Sequence, residues 1–166
     1  MNILQITKGT FLLSLVFILF LSCKMRSKFD ISEDRKRILE LHNEQRAYHF
    51  NKDSIAFVNQ LSVDFISVNK GIISRPKREE TIFRYNQYFS SVEFIRWDDE
   101  TEPIIEFSDD GSMAYTIVDK IVVLTYKDEK GKKIEDKTHF AWTAIYKKHG
   151  GEWKIDCLTS TERPNE

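Results

Sequence analysis

Cysteine is scarce in this chain, and neither sign of charge is in excess. The only cysteines are Cys23 and Cys157, so a hydrophobic core rather than a set of cross-links must stabilise the fold. The 25 basic and 26 acidic residues nearly balance. Proteins that bind nucleic acids contact many phosphates through Lys and Arg, so we expect no nucleic-acid partner.

The sequence also lacks the short motifs that indicate several well-known chemistries. It has no glycine-rich phosphate loop, nucleophile elbow, HExxH zinc motif or paired CxxC motif. The acidic run from Asp98 to Glu102 lacks the glycine and the terminal glutamate of an EF-hand loop. His42 and His49 share one predicted helix face, but about 10 Å of helical rise separates them, too far to chelate one ion together. We expect neither a metal nor another cofactor.

The hydrophobic run near the N-terminus is too short to span a membrane. It extends from Phe11 to Leu21, is interrupted only by Ser14, and follows the basic Lys8. A transmembrane helix needs about 20 apolar residues, so this pattern predicts a secretory signal peptide. The alternatives are an uncleaved anchor helix, or a plain signal peptide followed by an incidental cysteine.

The end of this run, Phe20-Leu21-Ser22-Cys23, resembles the lipobox of bacterial lipoproteins, although Phe20 stands where leucine is usual. The resemblance implies cleavage before Cys23 and attachment of lipid to that cysteine. It divides the chain into a signal peptide (residues 1–22), a polar tether (23–31) and one domain (32–163). The lipid would hold the protein at the bacterial cell envelope. Because no acidic residue closely follows Cys23, we expect the domain to lie in the periplasm.

Apolar spacing predicts three helices followed by β-strands. The first helix is predicted to be capped by Ser32 and to end near Phe50, and a short second helix is capped by Asp53 or Ser54. Arg75-Pro76 opens a third helix. From Val92 onward, alternating segments predict strands, the last two joined by a turn at Gly150-Gly151. This order predicts an α+β domain with helices on one face of a curved antiparallel sheet.

Several short strings occur in an order found in a known superfamily: Asp64-Phe65, Trp97-Asp98-Asp99, Asp109-Asp110-Gly111 and Gly151-Glu152-Trp153-Lys154-Ile155. Together with the order of elements, they resemble the nuclear transport factor 2-like superfamily, which includes ketosteroid isomerases and SnoaL-like cyclases. The resemblance implies a cone-shaped roll whose sheet encloses a cavity closed by about three N-terminal helices. It does not imply a reaction, because enzymes, binding modules and assembly domains share such folds.

Three residues are candidates for acid–base chemistry: Asp64, Asp119 and His139. If its strand alternates regularly, Asp119 shares a face with Tyr115 and Ile117, where burial would raise the pKa of its carboxyl. The alternative is a structural carboxylate, or a bulge that turns Asp119 outward. The catalytic set of the ketosteroid isomerases cannot be matched residue by residue, so the catalytic residues stay unknown.

Aromatic side chains on the predicted helix and strands are candidates to line the cavity. We expect Tyr48, Trp97, Tyr115 and Trp142 to do so, since flat apolar rings suit an apolar ligand. The alternative for each is ordinary core packing. Free cysteine is among the most buried residue types, so Cys157 is expected in the core.

Three functions are compatible with these features. The first is a lipid-anchored domain that binds a small apolar ligand or a protein partner without catalysis. The second is an isomerase, dehydratase or cyclase that uses a cavity Asp or His. The third is a homodimeric scaffold that pairs through the open face of the sheet. A cavity holding two of the candidate groups would favour the enzyme, and an exposed aromatic sheet face would favour the dimer.

Overall fold

A computed structural model describes residues 30–163 of the chain. Within this range it has three helices and one seven-stranded sheet. The helices are α1 (Ile31–Phe50), α2 (Ser54–Asn59) and α3 (Arg78–Ser91). The strands are β1 (Leu61–Asn69), β2 (Ile72–Ser74), β3 (Glu93–Asp99), β4 (Ile104–Phe107), β5 (Met113–Lys127), β6 (Lys133–His149) and β7 (Glu152–Glu162). The predicted signal peptide and Cys23 lie outside the described residues.

Acidic side chains cap the first two helices, as helix N-termini favour. The carboxylate of Asp30 accepts hydrogen bonds from the backbone N–H groups of Ser32 and Glu33. Asp30 rather than the predicted Ser32 is therefore the cap of α1. Asp53, one of the two predicted caps, accepts from the Ala56 N–H at 2.9 Å and starts α2. Each cap fixes the entry of a helix that covers one side of the sheet.

The sheet is mixed rather than wholly antiparallel. Its order is β2-β1-β7-β6-β5-β3, with β4 paired to the other half of β5. Every pair is antiparallel except β1 with β7, which run parallel and are separated in the chain by β2, α3 and β3 to β6. The long strands β5 and β6 pair along the whole length of β5 and form the centre of the curved sheet.

Two irregularities in the strands decide which side chains face the helices. In β3 the register shifts between Phe94 and Arg96, so Phe94 and Trp97 are both buried while Ile95 is 55 % exposed. In β7 the register against β6 shifts between Ile155 and Cys157. An extra residue in one strand reverses the faces that follow it. Cys157 therefore lies on the outer side of the sheet, partly exposed, and the prediction that it belongs to the core is wrong.

The core fills the space between the helices and the concave face of the sheet. Helix α1 turns one side inward, and that side carries three polar residues besides its apolar ones: Ile38, Leu41, His42, Gln45 and His49. Phe89 of α3 is fully buried against this surface. Burial of one such phenylalanine contributes about 1.5–3 kcal/mol. The polar side chains of α1 are thus held inside a largely aromatic interior.

Among residues 30–163, no helix is both long enough and apolar enough to cross a membrane.

Candidate functional site

A cavity of about 230 Å³ lies between the helices and the concave face of the sheet. Aromatic residues from α2, α3 and two strands, β3 and β6, form much of its wall: Phe57, Tyr85, Tyr88, Trp97, Phe140 and Trp142. The volume lies below the roughly 300–1,000 Å³ typical of sites for drug-sized ligands. A compact ligand fits it better than an extended one.

One end of the cavity adjoins a surface groove of about 410 Å³. Five residues border both spaces: Asn69, Tyr85, Tyr88, Leu158 and Ser160. The two tyrosines come from α3, and Leu158 and Ser160 come from β7. This boundary between helix and sheet is therefore the route by which a ligand would enter.

His49 is the polar group set deepest in this aromatic wall. Its ring stacks on Trp97 at a centroid distance of 4.4 Å and makes edge contacts with Phe57 at 5.3 Å and Phe94 at 5.2 Å. The residue is only 6 % exposed. Burial penalises the charged imidazolium and lowers the pKa of His49 to about 4, although the hydrogen bond to Gln45 opposes the shift. At neutral pH His49 is therefore uncharged.

The hydrogen bond of His49 fixes which ring nitrogen carries the proton. Nδ1 lies 2.7 Å from the backbone oxygen of Gln45. A carbonyl oxygen can only accept, so Nδ1 is the donor. In a neutral imidazole the other nitrogen, Nε2, then carries a lone pair and is an acceptor. The ring thus offers a single hydrogen-bond acceptor in an aromatic setting.

A second polar cluster lies behind Trp97. The carboxylate of Asp99 accepts a hydrogen bond from His42 Nε2 at 2.8 Å through one oxygen, and its other oxygen lies 2.7 Å from Lys120 Nζ. Lys120 Nζ is also 3.4 Å from the centre of the Trp97 ring, a cation–π contact. None of the three charged or titratable residues borders the cavity. The cluster joins α1 to β3 and β5, which carry these residues.

The charges of this cluster compensate each other. Desolvation opposes ionisation of Asp99, but its contacts with His42 and Lys120 outweigh that effect and hold the pKa of its carboxyl below the ordinary value. Burial lowers the pKa of Lys120, although Asp99 favours the charged form. An ion pair of this kind spares the interior an uncompensated charge.

This architecture is similar to that of several solved structures. A protein from Cytophaga hutchinsonii, described as NTF2-like, shares 16% sequence identity with this chain, and the match covers 78% of this chain and 98% of that one, with a TM-score of 0.62. The chain has the nuclear transport factor 2-like fold. The predicted α+β cone with three N-terminal helices is thereby confirmed, with the sheet corrected to mixed.

Other nuclear transport factor 2-like structures differ widely in what their names describe. A hexachlorocyclohexane dehydrochlorinase, LinA type 2, is 17% identical, with 83% of this chain and 90% of that one covered and a TM-score of 0.65. A proposed Ca/calmodulin-dependent kinase II association domain from Exiguobacterium sibiricum is 16% identical, with 82% and 98% covered and a TM-score of 0.65. No protein-family model and no curated protein matches the chain. Identities this low show the fold alone.

Of the four aromatic residues predicted to line the cavity of this nuclear transport factor 2-like domain, two do so. Trp97 and Trp142 border it. Tyr48 lies instead in a separate groove beside α1, where its hydroxyl donates to Glu44 at 3.0 Å. Tyr115 lies on the outer face of the sheet and is 39 % exposed. On β5 successive residues face opposite sides of the sheet, and on α1 successive side chains are turned about 100° from each other, so the neighbours of Tyr115 and Tyr48 face inward instead.

The three acid–base candidates lie outside the cavity. Asp119 Oδ1 and His139 Nε2 are 2.7 Å apart, but on the outer face of the sheet, in a surface groove of about 470 Å³. Asp119 does share a face with Tyr115 and Ile117, but that face is the outer one, because the even-numbered residues of β5, including Lys120, point inward there. Asp64 is exposed on β1.

Three interior polar residues were not expected from the sequence: Gln45 and His49, which border the cavity, and Lys120, which pairs with Asp99. A signal for the first two was present, since polar residues at spacings of three and four on the inward side of α1 are unusual for a core-facing helix. Lys120 had no such signal, because both faces of β5 are largely apolar. Among residues 30–163, no group of three or more His, Cys, Asp or Glu side chains is arranged to hold a metal ion.

Proposed function

We propose that the chain is a lipid-anchored protein of the bacterial cell envelope whose nuclear transport factor 2-like domain binds a small apolar ligand. The observation that carries the proposal is the 230 Å³ cavity, walled largely by aromatic rings. Enclosed apolar spaces with a few polar groups are the usual form of small-molecule sites. The residues bordering this one include no Asp, Glu, Lys or Arg.

A pair of substitutions on β6 tests the binding of a ligand. Ala144 borders the cavity and is 2 % exposed, whereas Ala141 lies on the outer face of the same strand. Native mass spectrometry of the purified chain should detect a retained small molecule, which Ala144→Phe should expel by filling the space. Ala141→Phe is the matched control and should retain it. Retention by both variants would contradict binding in this cavity.

The anchor is supported by Lys8, the apolar run from Phe11 to Leu21 and the cysteine after Ser22. We expect the chain purified from membranes to lack residues 1–22 and to carry acyl mass on Cys23. Cys23→Ser should abolish the acyl mass and release the protein from the membrane fraction. An intact chain that keeps its initial methionine would refute the anchor and leave the cavity proposal standing.

A second candidate function is a homodimeric scaffold, favoured by the outer face of the sheet. That face exposes apolar side chains from β4 and β5: Ile104, Met113, Tyr115 and Ile117. The Exiguobacterium sibiricum structure is named as an association domain, and exposed apolar patches of this kind are typical of protein interfaces. Two copies would cover these residues.

Sedimentation of two isoleucine variants tests the dimer. Ile117→Lys places a charge in the centre of the patch and should shift a dimer to monomer. Ile55→Lys changes an isoleucine on α2 that is also exposed, at 58 % against 43 % for Ile117, and should leave the dimer intact. A monomeric unmodified chain at high micromolar concentration would rule out this candidate.

The isomerase, dehydratase or cyclase hypothesis is weaker. One structural neighbour is by name a dehydrochlorinase. However, Asp64, Asp119 and His139 do not border the cavity, and a general base must reach the proton that it removes. The geometry therefore favours binding over catalysis by these three residues.

A further inference from the structure

We propose that the ligand of the cavity is an uncharged molecule with an apolar body and one hydroxyl or N–H group, which donates a hydrogen bond to Nε2 of His49. This inference rests on the proposed function and specifies the chemistry of its ligand.

The wall of the cavity selects against a charged ligand. Its polar groups are Gln45, His49, Asn69 and Ser160, together with the hydroxyls of Tyr85 and Tyr88, and none of these carries a charge at neutral pH. Lys120 is the charged residue that acts on the pKa of His49, and its ammonium is already paired with Asp99 at 2.7 Å. A charged ligand would lose its hydration and gain no opposite charge, which is costly.

The free ring nitrogen of His49 can pair only with a hydrogen-bond donor. Since Nδ1–H donates to the Gln45 carbonyl, Nε2 can only accept. Among the described residues, the His49 ring makes one hydrogen bond, through Nδ1, and none through Nε2. A ligand that brings a hydroxyl or N–H group satisfies this atom, whereas a pure hydrocarbon covers it without a partner.

The acceptor is also held in place. Trp97 stacks against one face of the ring, and Phe57 and Phe94 contact it at angles near 85°. Turning the ring over would break the bond from Nδ1 to Gln45. Because the surrounding rings fix the orientation in advance, a ligand need not order this group on binding.

Three small aromatic probes of matched size separate the possibilities: 4-ethylphenol, ethylbenzene and 4-ethylbenzoate. Calorimetric titration of the full chain should give 4-ethylphenol an affinity about tenfold above that of ethylbenzene, the effect expected of one added hydrogen bond. The benzoate should bind more weakly than both. His49→Phe should remove the difference between the first two. His149→Phe, on a histidine outside the cavity whose partner Asp156 keeps Lys147, should preserve it.

The outcomes distinguish this inference from the proposal beneath it. Equal binding of 4-ethylphenol and ethylbenzene would overturn the hydrogen bond but leave an apolar binding cavity. Tighter binding of the benzoate would overturn the claim that the ligand is uncharged. If no probe binds, the cavity function and this inference fail together.

Nitrogen NMR of the unmodified chain keeps the inference testable even where His49→Phe does not fold. We expect the His49 signals of a proton on Nδ1 and none on Nε2, with the Nε2 resonance shifting when 4-ethylphenol is added. A proton on Nε2 in the free protein, or an unchanged Nε2 resonance in the complex, would overturn it.

Discussion

Two histidine–aspartate contacts of nearly equal length lie on opposite sides of the same sheet. His42 and Asp99 meet at 2.8 Å inside the cone, and His139 and Asp119 meet at 2.7 Å outside it. The inner histidine side chain is 2 % exposed and its carboxylate 23 %, whereas the outer carboxylate is 46 % exposed. Only the inner pair also holds a buried cation, Lys120.

Distance alone does not measure what such a contact contributes to stability. Water screens the outer pair, and exposed ion pairs contribute at most about 1 kcal/mol. The inner carboxylate neutralises a lysine that is 2 % exposed, so its loss leaves a buried charge without a partner. The outer pair had the more visible sequence signal, and the inner one has the larger energetic role.

The largest effect is expected from Asp99→Asn. The substitution keeps the shape of the side chain but leaves the Lys120 ammonium without its counter-charge, so the free energy of unfolding should fall by about 3 kcal/mol. Urea denaturation measures the change. Lys120→Met in the same protein should cost less, because it removes the buried charge together with its need for a partner. If both variants were as stable as the parent, the inner cluster would contribute no more to stability than an exposed ion pair does.

A smaller effect should appear in the pH dependence of stability. His49 has a pKa of about 4 when folded and 6.5 as a free side chain, so the unfolded chain binds more protons between these values and stability is lost as the pH falls. From pH 7 to pH 5 the contribution of His49 is about 2 kcal/mol. His49→Phe should flatten the profile by that amount. Parallel profiles for the parent and His49→Phe would contradict the buried, neutral histidine.

The smallest effect is expected on the outer face. Asp119→Asn should change the free energy of unfolding by less than about 0.5 kcal/mol, because its carboxylate is largely solvated. The same urea denaturation as for Asp99→Asn gives a direct comparison. A loss approaching that of Asp99→Asn would show that the outer face is covered in solution, as it is in the dimer proposed above.

The presence of a cavity and part of its aromatic wall could be expected from the sequence, but its polar residues could not. Its existence was implied by the resemblance to the nuclear transport factor 2-like superfamily, and Trp97 and Trp142, two of the expected lining residues, border it. The position of Trp97 nevertheless depends on the register shift after Phe94, since regular alternation would have put these two residues on opposite faces. From the sequence, His49 was weighed only as a metal ligand. Its role as a hydrogen-bond acceptor depends on its tautomer, which is set by the contact of Nδ1 with the Gln45 carbonyl and is visible only in the structure.

The local periods of this protein can be read from the amino-acid sequence: three helices, the acidic caps of the first two, strands in a fixed order and a glycine turn at Gly150-Gly151, where both residues have positive φ. These follow from interactions among residues close in the chain. Which face of each strand turns inward depends instead on packing between elements that are distant in the chain. On β5 either face was apolar enough, and packing against Asp99 and α1 placed Lys120 inside and Asp119 outside. The repeat of apolar residues along an element is a local property of the sequence. Which of its faces is buried is set by the element that packs against it.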